Sequence, residues 1–286
     1  MAAITCLGNN LEQTWAGLKA GRSGITPIQG FDASEFNPNF AGEVKGFDAE
    51  ATGYMDAKEV KQLDRYVAFA ITVALDALAD SCLKVTDENR DNIAVIFGSG
   101  TGGSSTLLAQ QKVLEERGSR RVSPFLIANM LPDSGSGYIA IKLGARGPNM
   151  AVVSACATGG HNVGEAWETI RRGDADVAVT GSAEYVIVPI TLAGFISMRA
   201  LATHPDPTRA SRPFDKNRNG FVIAEGAACL ILEELEHAQA RGARIYAEMI
   251  GYGSSNDAYH MAAADDAGAG AARCMKMAIR KAGIAP

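Results

Sequence analysis

The chain has 286 residues, 47% hydrophobic and 21% charged, with a formal net charge of −5. That is the make-up of a globular protein with enough chain for one large domain or two ordinary ones, and it argues against a general nucleic-acid binder. No run of about 18 apolar residues predicts a membrane span, and no basic segment leading into an apolar core predicts a signal peptide.

Residues 11–20 read as a short amphipathic helix, with Leu11, Trp15 and Leu18 at helical spacing. Residues 25–56 are rich in Gly, Pro, Asn and Asp and predict loop, and residues 58–81 give a stronger helical pattern. Residues 93–97 form a compact apolar run that predicts a buried strand, running into a glycine-rich turn at 98–103. Helices are predicted at 134–143, 158–172 and 271–282, the last stopping before Pro286, and strands at 150–153, 175–181, 227–233 and 246–252. Strands alternating with helices predict an α/β protein with a largely parallel sheet. No repeat of solenoid period is present.

The five cysteines are Cys6, Cys82, Cys156, Cys229 and Cys274. They are odd in number and have no CxxC pair, which gives neither a simple zinc site nor a disulfide framework and predicts a reducing cytoplasm. Cys156 stands apart. An apolar β-former run precedes it and a helix of small residues follows, so the thiol lies at a helix N-terminus. There the unpaired N–H groups and the helix dipole favour the nucleophilic thiolate. This predicts covalent catalysis at Cys156. Gly160 and Gly164 share one face of that helix at about 1 kcal/mol each relative to Ala, which predicts a buried helix against a close neighbour, presenting the thiol to a pocket. The other four cysteines read as inert.

A nucleophilic cysteine needs a base or proton donor, and none of the four histidines is convincing. His161 lies about a turn and a half beyond Cys156, which points its side chain elsewhere. His237 reads as a solvated helix residue, His204 sits in a Pro-rich loop, and His260 is either structural or near a site. The turn at 98–103, Gly-Ser-Gly-Thr-Gly-Gly, matches GxGxxG by letter but lacks the lysine of a phosphate loop and the acidic residue of a dinucleotide site. It reads better as a turn that lets backbone approach the active pocket. Composition alone makes Lys58, Lys61, Arg120, Arg121 and Arg199 solvated surface charges.

The segment Ser154-Ala155-Cys156-Ala157-Thr158-Gly159 resembles the nucleophile motif of the β-ketoacyl-[acyl carrier protein] synthases. Further matches follow in order: residues 7–25, the turn at 98–103, Gly173 to Asp176, Ser211 to Asp215 with Gly220 to Val222 and Glu225 to Ala227, and Asn256 to Met261, most like the type II enzyme. The resemblance covers essentially the whole chain. It implies the thiolase-like α-β-α-β-α layered sandwich and a homodimer, with residues 1–240 as an N-terminal half and 241–286 as the start of a C-terminal half. It also implies Cys156 as acyl acceptor, Thr101 and Phe195 lining an acyl pocket, and Lys58, Lys61, Arg120, Arg121 and Arg199 as a basic surface for acyl carrier protein. No cofactor, metal, nucleic acid or membrane partner is implied. A ketosynthase of polyketide synthesis or a non-catalytic chain-length partner subunit are the alternatives, and a thiolase fits the surrounding motifs less well. The family's two decarboxylating histidines sit in Asn-Ala-His-Gly-Thr and Gly-His motifs that this sequence does not contain. The expectation is therefore a chain lacking its first strand and most of its second half. Ser154, Asn219 and Ala224 stand where Thr, Asp and Gly are common.

Overall fold

The computed structural model describes residues 1–261 and 263–285; Pro286, placed by the sequence pattern beyond the last helix, lies outside the described residues. In chain order the elements are β1 (Ala2–Ile4), α1 (Leu11–Lys19), β2 (Thr26–Pro27), β3 (Phe40–Ala41), α2 (Ala57–Val60), α3 (Arg65–Ser81), β4 (Ile93–Gly98), α4 (Ser104–Arg117), α5 (Leu126–Met130) and α6 (Ser134–Leu143). They continue with β5 (Asn149–Met150), α7 (Thr158–Arg171), β6 (Val177–Glu184), α8 (Pro189–Ser197), β7 (Gly226–Glu233), α9 (Leu235–Ala240) and α10 (Ala269–Ala282).

One five-stranded sheet runs in the order β1-β7-β6-β4-β5. β4 pairs parallel with β5 and β6, whereas β7 is antiparallel to both β6 and β1, so the sheet is mixed rather than largely parallel. Alternation along β4 sorts its side chains between two layers. Ile93, Val95 and Phe97 join Phe69 and Ile71 of α3 and Ile139 of α6 in the main core, while Ala94 and Ile96 meet Ala166 of α7 on the opposite face. Each fully buried Ile or Phe contributes about 1.5–3 kcal/mol. The sheet is thereby fixed between α3 and α6 on one side and α7 on the other.

Four expectations are corrected. The helix expected over 58–81 is broken. A capping box of Asp56 and Glu59 starts α2, and Asp64 then takes an extended conformation and accepts the Tyr66 N–H to start α3. The apolar side chains of α1 are not covered: Trp15 is 58% and Leu18 57% exposed, and the helix buries Thr14 and Gly17 instead. The strand expected at 150–153 ends at Met150, and Val153 is 49% exposed. Residues 246–252 form no strand, because no other strand among the described residues runs beside them. Backbone closeness decides their packing: Gly251 and Gly253 lie against the α10 backbone at Ala278 and Cys274, where any Cβ would collide. Ala2–Ile4, for which the sequence pattern gives no element, forms the edge strand β1.

Candidate active site

Beyond Met150 the chain lifts out of the ladder and turns sharply into α7. Ala155 has φ 51°, a left-handed conformation that costs a side-chain-bearing residue about 1–2 kcal/mol. A 3-10 turn, Ala155–Ala157, follows and leads directly into Thr158. Cys156 sits in that turn with its thiol exposed. No side-chain cap engages the first N–H groups of α7, so this end of the helix keeps its partial positive charge for a group outside it.

Side chains of α7 reach back to hold the approach to the thiol. Thr158 Oγ1 accepts the Ser154 N–H at 2.9 Å, and Asn162 Oδ1 accepts the Val152 N–H at 2.8 Å. His161 Nδ1 lies 2.6 Å from Ser154 Oγ and its Nε2 lies 3.2 Å from Ser254 Oγ. Both ring nitrogens are thereby engaged by serine hydroxyls. α7 is half covered rather than wholly buried. Gly164 lies under the Tyr252 ring with no room for a Cβ, whereas Gly160 meets nothing within 4 Å.

The glycine-rich turn lies beside this elbow. Glu184, at the end of β6, gathers it: Ser99 Oγ donates to Oε1 at 2.8 Å, Gly100 N–H to Oε2 at 2.9 Å, and Thr101 Oγ1 to Oε1 at 2.6 Å. A Cβ on Gly100 would lie 2.9 Å from Glu184 Oε2 and 3.1 Å from the Ala155 carbonyl oxygen. The turn thus brings backbone against the Ala155 elbow, and Thr101 is exposed at its tip. Sequence reasoning missed Glu184 and Asn162. The only signal for Glu184 was a carboxylate ending an apolar strand.

Phe195 of α8 is placed in a separate apolar cluster with Ile28, Val186, Ile187 and Leu192, its ring edge-on to Phe221 at 5.2 Å. Lys58, Lys61, Arg120, Arg121 and Arg199 are all exposed, and none forms a salt bridge among the described residues. Asn129 of α5 donates to the Gln62 carbonyl, next to Lys61. His237 is not simply solvated. It bonds Glu233, which Arg241 grips through both carboxylate oxygens. Burial alone would raise the Glu233 carboxyl, but Arg241 and His237 outweigh it and hold it below its ordinary range. His204 bonds the Asp206 backbone, and His260 accepts the Ala263 N–H.

Two cavities, of about 1220 and 690 Å³, lie elsewhere. The first is lined by α1 and residues 46–54, the second by Trp167, β7 and residues 243–250, and neither includes Cys156. Neither of these cavities therefore coincides with the turn that carries Cys156. Among the described residues no three His, Cys, Asp or Glu side chains are placed to hold a metal ion, and no helix is long and apolar enough to cross a membrane.

Residues 1–238 match the profile described as Beta-ketoacyl synthase, N-terminal domain, and residues 246–286 that of Beta-ketoacyl synthase, C-terminal domain. The chain is 45% identical over 285 residues to 3-oxoacyl-[acyl-carrier-protein] synthase 2 of Vibrio cholerae, covering 99% of this chain and 68% of that protein. It is 46% identical over 287 residues to the protein of the same name from Synechocystis, covering 100% and 68%. Among solved structures, a beta-ketoacyl synthase from Burkholderia phymatum superposes with a TM-score of 0.88 at 32% identity, over 99% of this chain and 69% of that one. A type II polyketide ketosynthase in complex with its acyl-carrier protein gives 0.85 at 29% identity, over 99% and 69%.

Proposed function

Because this chain belongs to the β-ketoacyl synthase family, with the thiolase-like fold of its solved members, we propose that Cys156 is the residue on which its acyltransferase reaction begins. The enzyme class is that of the 3-oxoacyl-[acyl-carrier-protein] synthases, the condensing enzymes of fatty-acid elongation. The observation that carries the assignment to Cys156 is an exposed thiol in a strained turn at the uncapped start of α7.

In the first stage the Cys156 thiolate attacks the thioester carbonyl of an acyl-carrier. The Cys156 N–H supplies part of the oxyanion hole, the carrier's thiolate leaves, and an acyl-cysteine remains. In the second stage malonyl-carrier loses CO₂, and its carbanion attacks the acyl-cysteine. The products are a 3-oxoacyl-carrier two carbons longer and the free thiolate. Thr101 and Phe195 would flank the acyl chain. The exposed cations Lys58, Lys61, Arg120, Arg121 and Arg199 would receive the acidic carrier, which speeds encounter more than it tightens binding. Residues 1–240 would form the N-terminal half and residues 241–286 the start of the C-terminal half, the intact protein assembling as a homodimer in the cytoplasm.

The family's Asn-Ala-His-Gly-Thr and Gly-His motifs, which would serve the second stage, are absent from these 286 residues, and His161, His204 and His237 bond to Ser154, the Asp206 backbone and Glu233. The 286 residues alone are thus expected to take an acyl group on Cys156 and release no CO₂ from malonyl-carrier. Incubation with an acyl-carrier thioester or a cerulenin-like inhibitor, followed by peptide mass mapping, should place one adduct on Cys156 and none in Cys156→Ala. Adducts shared with Cys82, or CO₂ release at an ordinary enzymatic rate, would refute this reading. The polyketide alternative draws on the 29% identical ketosynthase, but the 44–46% identity to fatty-acid enzymes outweighs it. The presence of Cys156 weighs against a chain-length partner, a role in which the thiol is dispensable.

A further inference from the structure

The residues that lead to Cys156 belong to no strand, yet their direction is fixed. After Met150 the ladder ends, and Val152 has no neighbouring strand to pair with. Asn162, one turn inside α7 and fully buried, takes the place of that strand. Its Oδ1 accepts the Val152 N–H at 2.8 Å, and its Nδ2 donates to the Val152 carbonyl at 3.3 Å. One side-chain amide thereby meets both backbone groups of one residue, as a neighbouring strand would. The same Nδ2 donates to the Thr158 carbonyl at 2.9 Å, tying the pair to the first residue of α7.

Room for this amide comes from Gly98, where a Cβ would stand 2.9 Å from Asn162 Nδ2. The next links lie on the same helix. Thr158 holds the Ser154 N–H and His161 holds the Ser154 hydroxyl. Between these anchors the chain must pass through Ala155 at φ 51°, so the strain is imposed from both sides.

We propose that Asn162 is a positioning residue for Cys156, substituting its amide for a missing strand and so holding the thiol at the amide end of α7. The proposal rests on Cys156 being the nucleophile. Loss of Asn162 would leave the Val152 N–H and carbonyl unpaired and free the elbow to relax. The thiol would then lose its fixed place at the start of α7, where the unpaired N–H groups of the helix face it.

The chain carries its own controls. Cys82 is an exposed thiol at the C-cap of α3, and Cys229 is fully buried in β7. Iodoacetamide labelling, resolved by peptide mass spectrometry, gives the Cys156 rate relative to Cys82, with Cys229 reporting unfolding. In the unsubstituted chain Cys156 outruns Cys82; if it does not, the nucleophile reading fails. In Asn162→Ala the ratio is expected to fall about tenfold with Cys229 still protected. Asn162→Asp keeps the acceptor for Val152 and should fall less. Ser154→Ala, which removes only the His161 link, should fall least. A ratio within about twofold of the parent in a folded Asn162→Ala chain overturns the positioning role. Labelling of Cys229 in both Asn162 variants also overturns it, because the residue would then be a determinant of folding rather than of the elbow.

Discussion

Gly100 shows how little space separates the two turns of the site. With Glu184 Oε2 and the Ala155 carbonyl both within about van der Waals contact of an added Cβ, Gly100→Ala must displace either the carboxylate or the elbow. The expected result is a drop of about tenfold or more in acylation of Cys156. Thermal stability should fall by only about 1–2 kcal/mol. Equal acylation rates for variant and parent would contradict this geometry. At this scale the sequence was legible where a residue type carries its own chemistry. Cys156 stood out as a thiol between an apolar run and a small-residue helix, and the glycines at 98–103 announced a close backbone approach. Glu184 and Asn162 did not stand out. A lone carboxylate at a strand end and an amide on a helix gain meaning only from the donors that folding brings to them.

Among the elements, the break before α3 has consequences beyond its own helix. Asp64 is buried and accepts the Tyr66 N–H at the start of α3. Its second oxygen accepts from Ser105 Oγ, Thr106 N and Thr106 Oγ1 in the first turn of α4. One carboxylate therefore caps two helices, and α4 continues directly from the glycine-rich turn. Asp64→Ala would orphan these donors and is expected to cost about 2–4 kcal/mol, read as a lowered urea midpoint. An unchanged midpoint would reject the shared cap. The break was partly readable, since Asp56 and Glu59 have capping-box spacing and Asp64 precedes an apolar run. The helix pattern across 58–81 concealed it, because apolar periodicity persists across a short interruption. The strands at 150–153 and 246–252 failed for a different reason. Both have β-forming composition, but a strand exists only where a second one pairs with it, and that is a property of the fold.

Over the whole molecule, distant segments meet at Glu225, which accepts the Val44 N–H at 2.7 Å. Burial pushes its carboxyl up from 4.5 to about 7, with Glu43 adding to the rise and Arg65 opposing it. A carboxyl raised in the folded state contributes stability that is full below about pH 4.5 and is lost as pH rises through about 7. Glu225→Gln keeps the acceptor for Val44 and removes the charge. Its stability relative to the parent should therefore increase by about 2 kcal/mol between pH 5 and pH 8. A difference independent of pH in paired thermal melts would refute this. The α/β class and the sandwiching of the sheet were readable from alternating elements. Strand direction was not, because the 41 residues between β6 and β7 (185–225) are long enough for either a parallel crossover or an antiparallel return. The return that the chain takes sets Glu184 directly across the ladder from Gly226. Residues 185–225 therefore leave and rejoin the sheet at a single rung, as a loop with a closed base. That base also carries the carboxylate holding the glycine-rich turn, whereas Phe195 and its apolar neighbours lie out along the loop. Repacking within the excursion can therefore reshape the cluster around Phe195 while the rung, and the glycine-rich turn held by Glu184, stay in place.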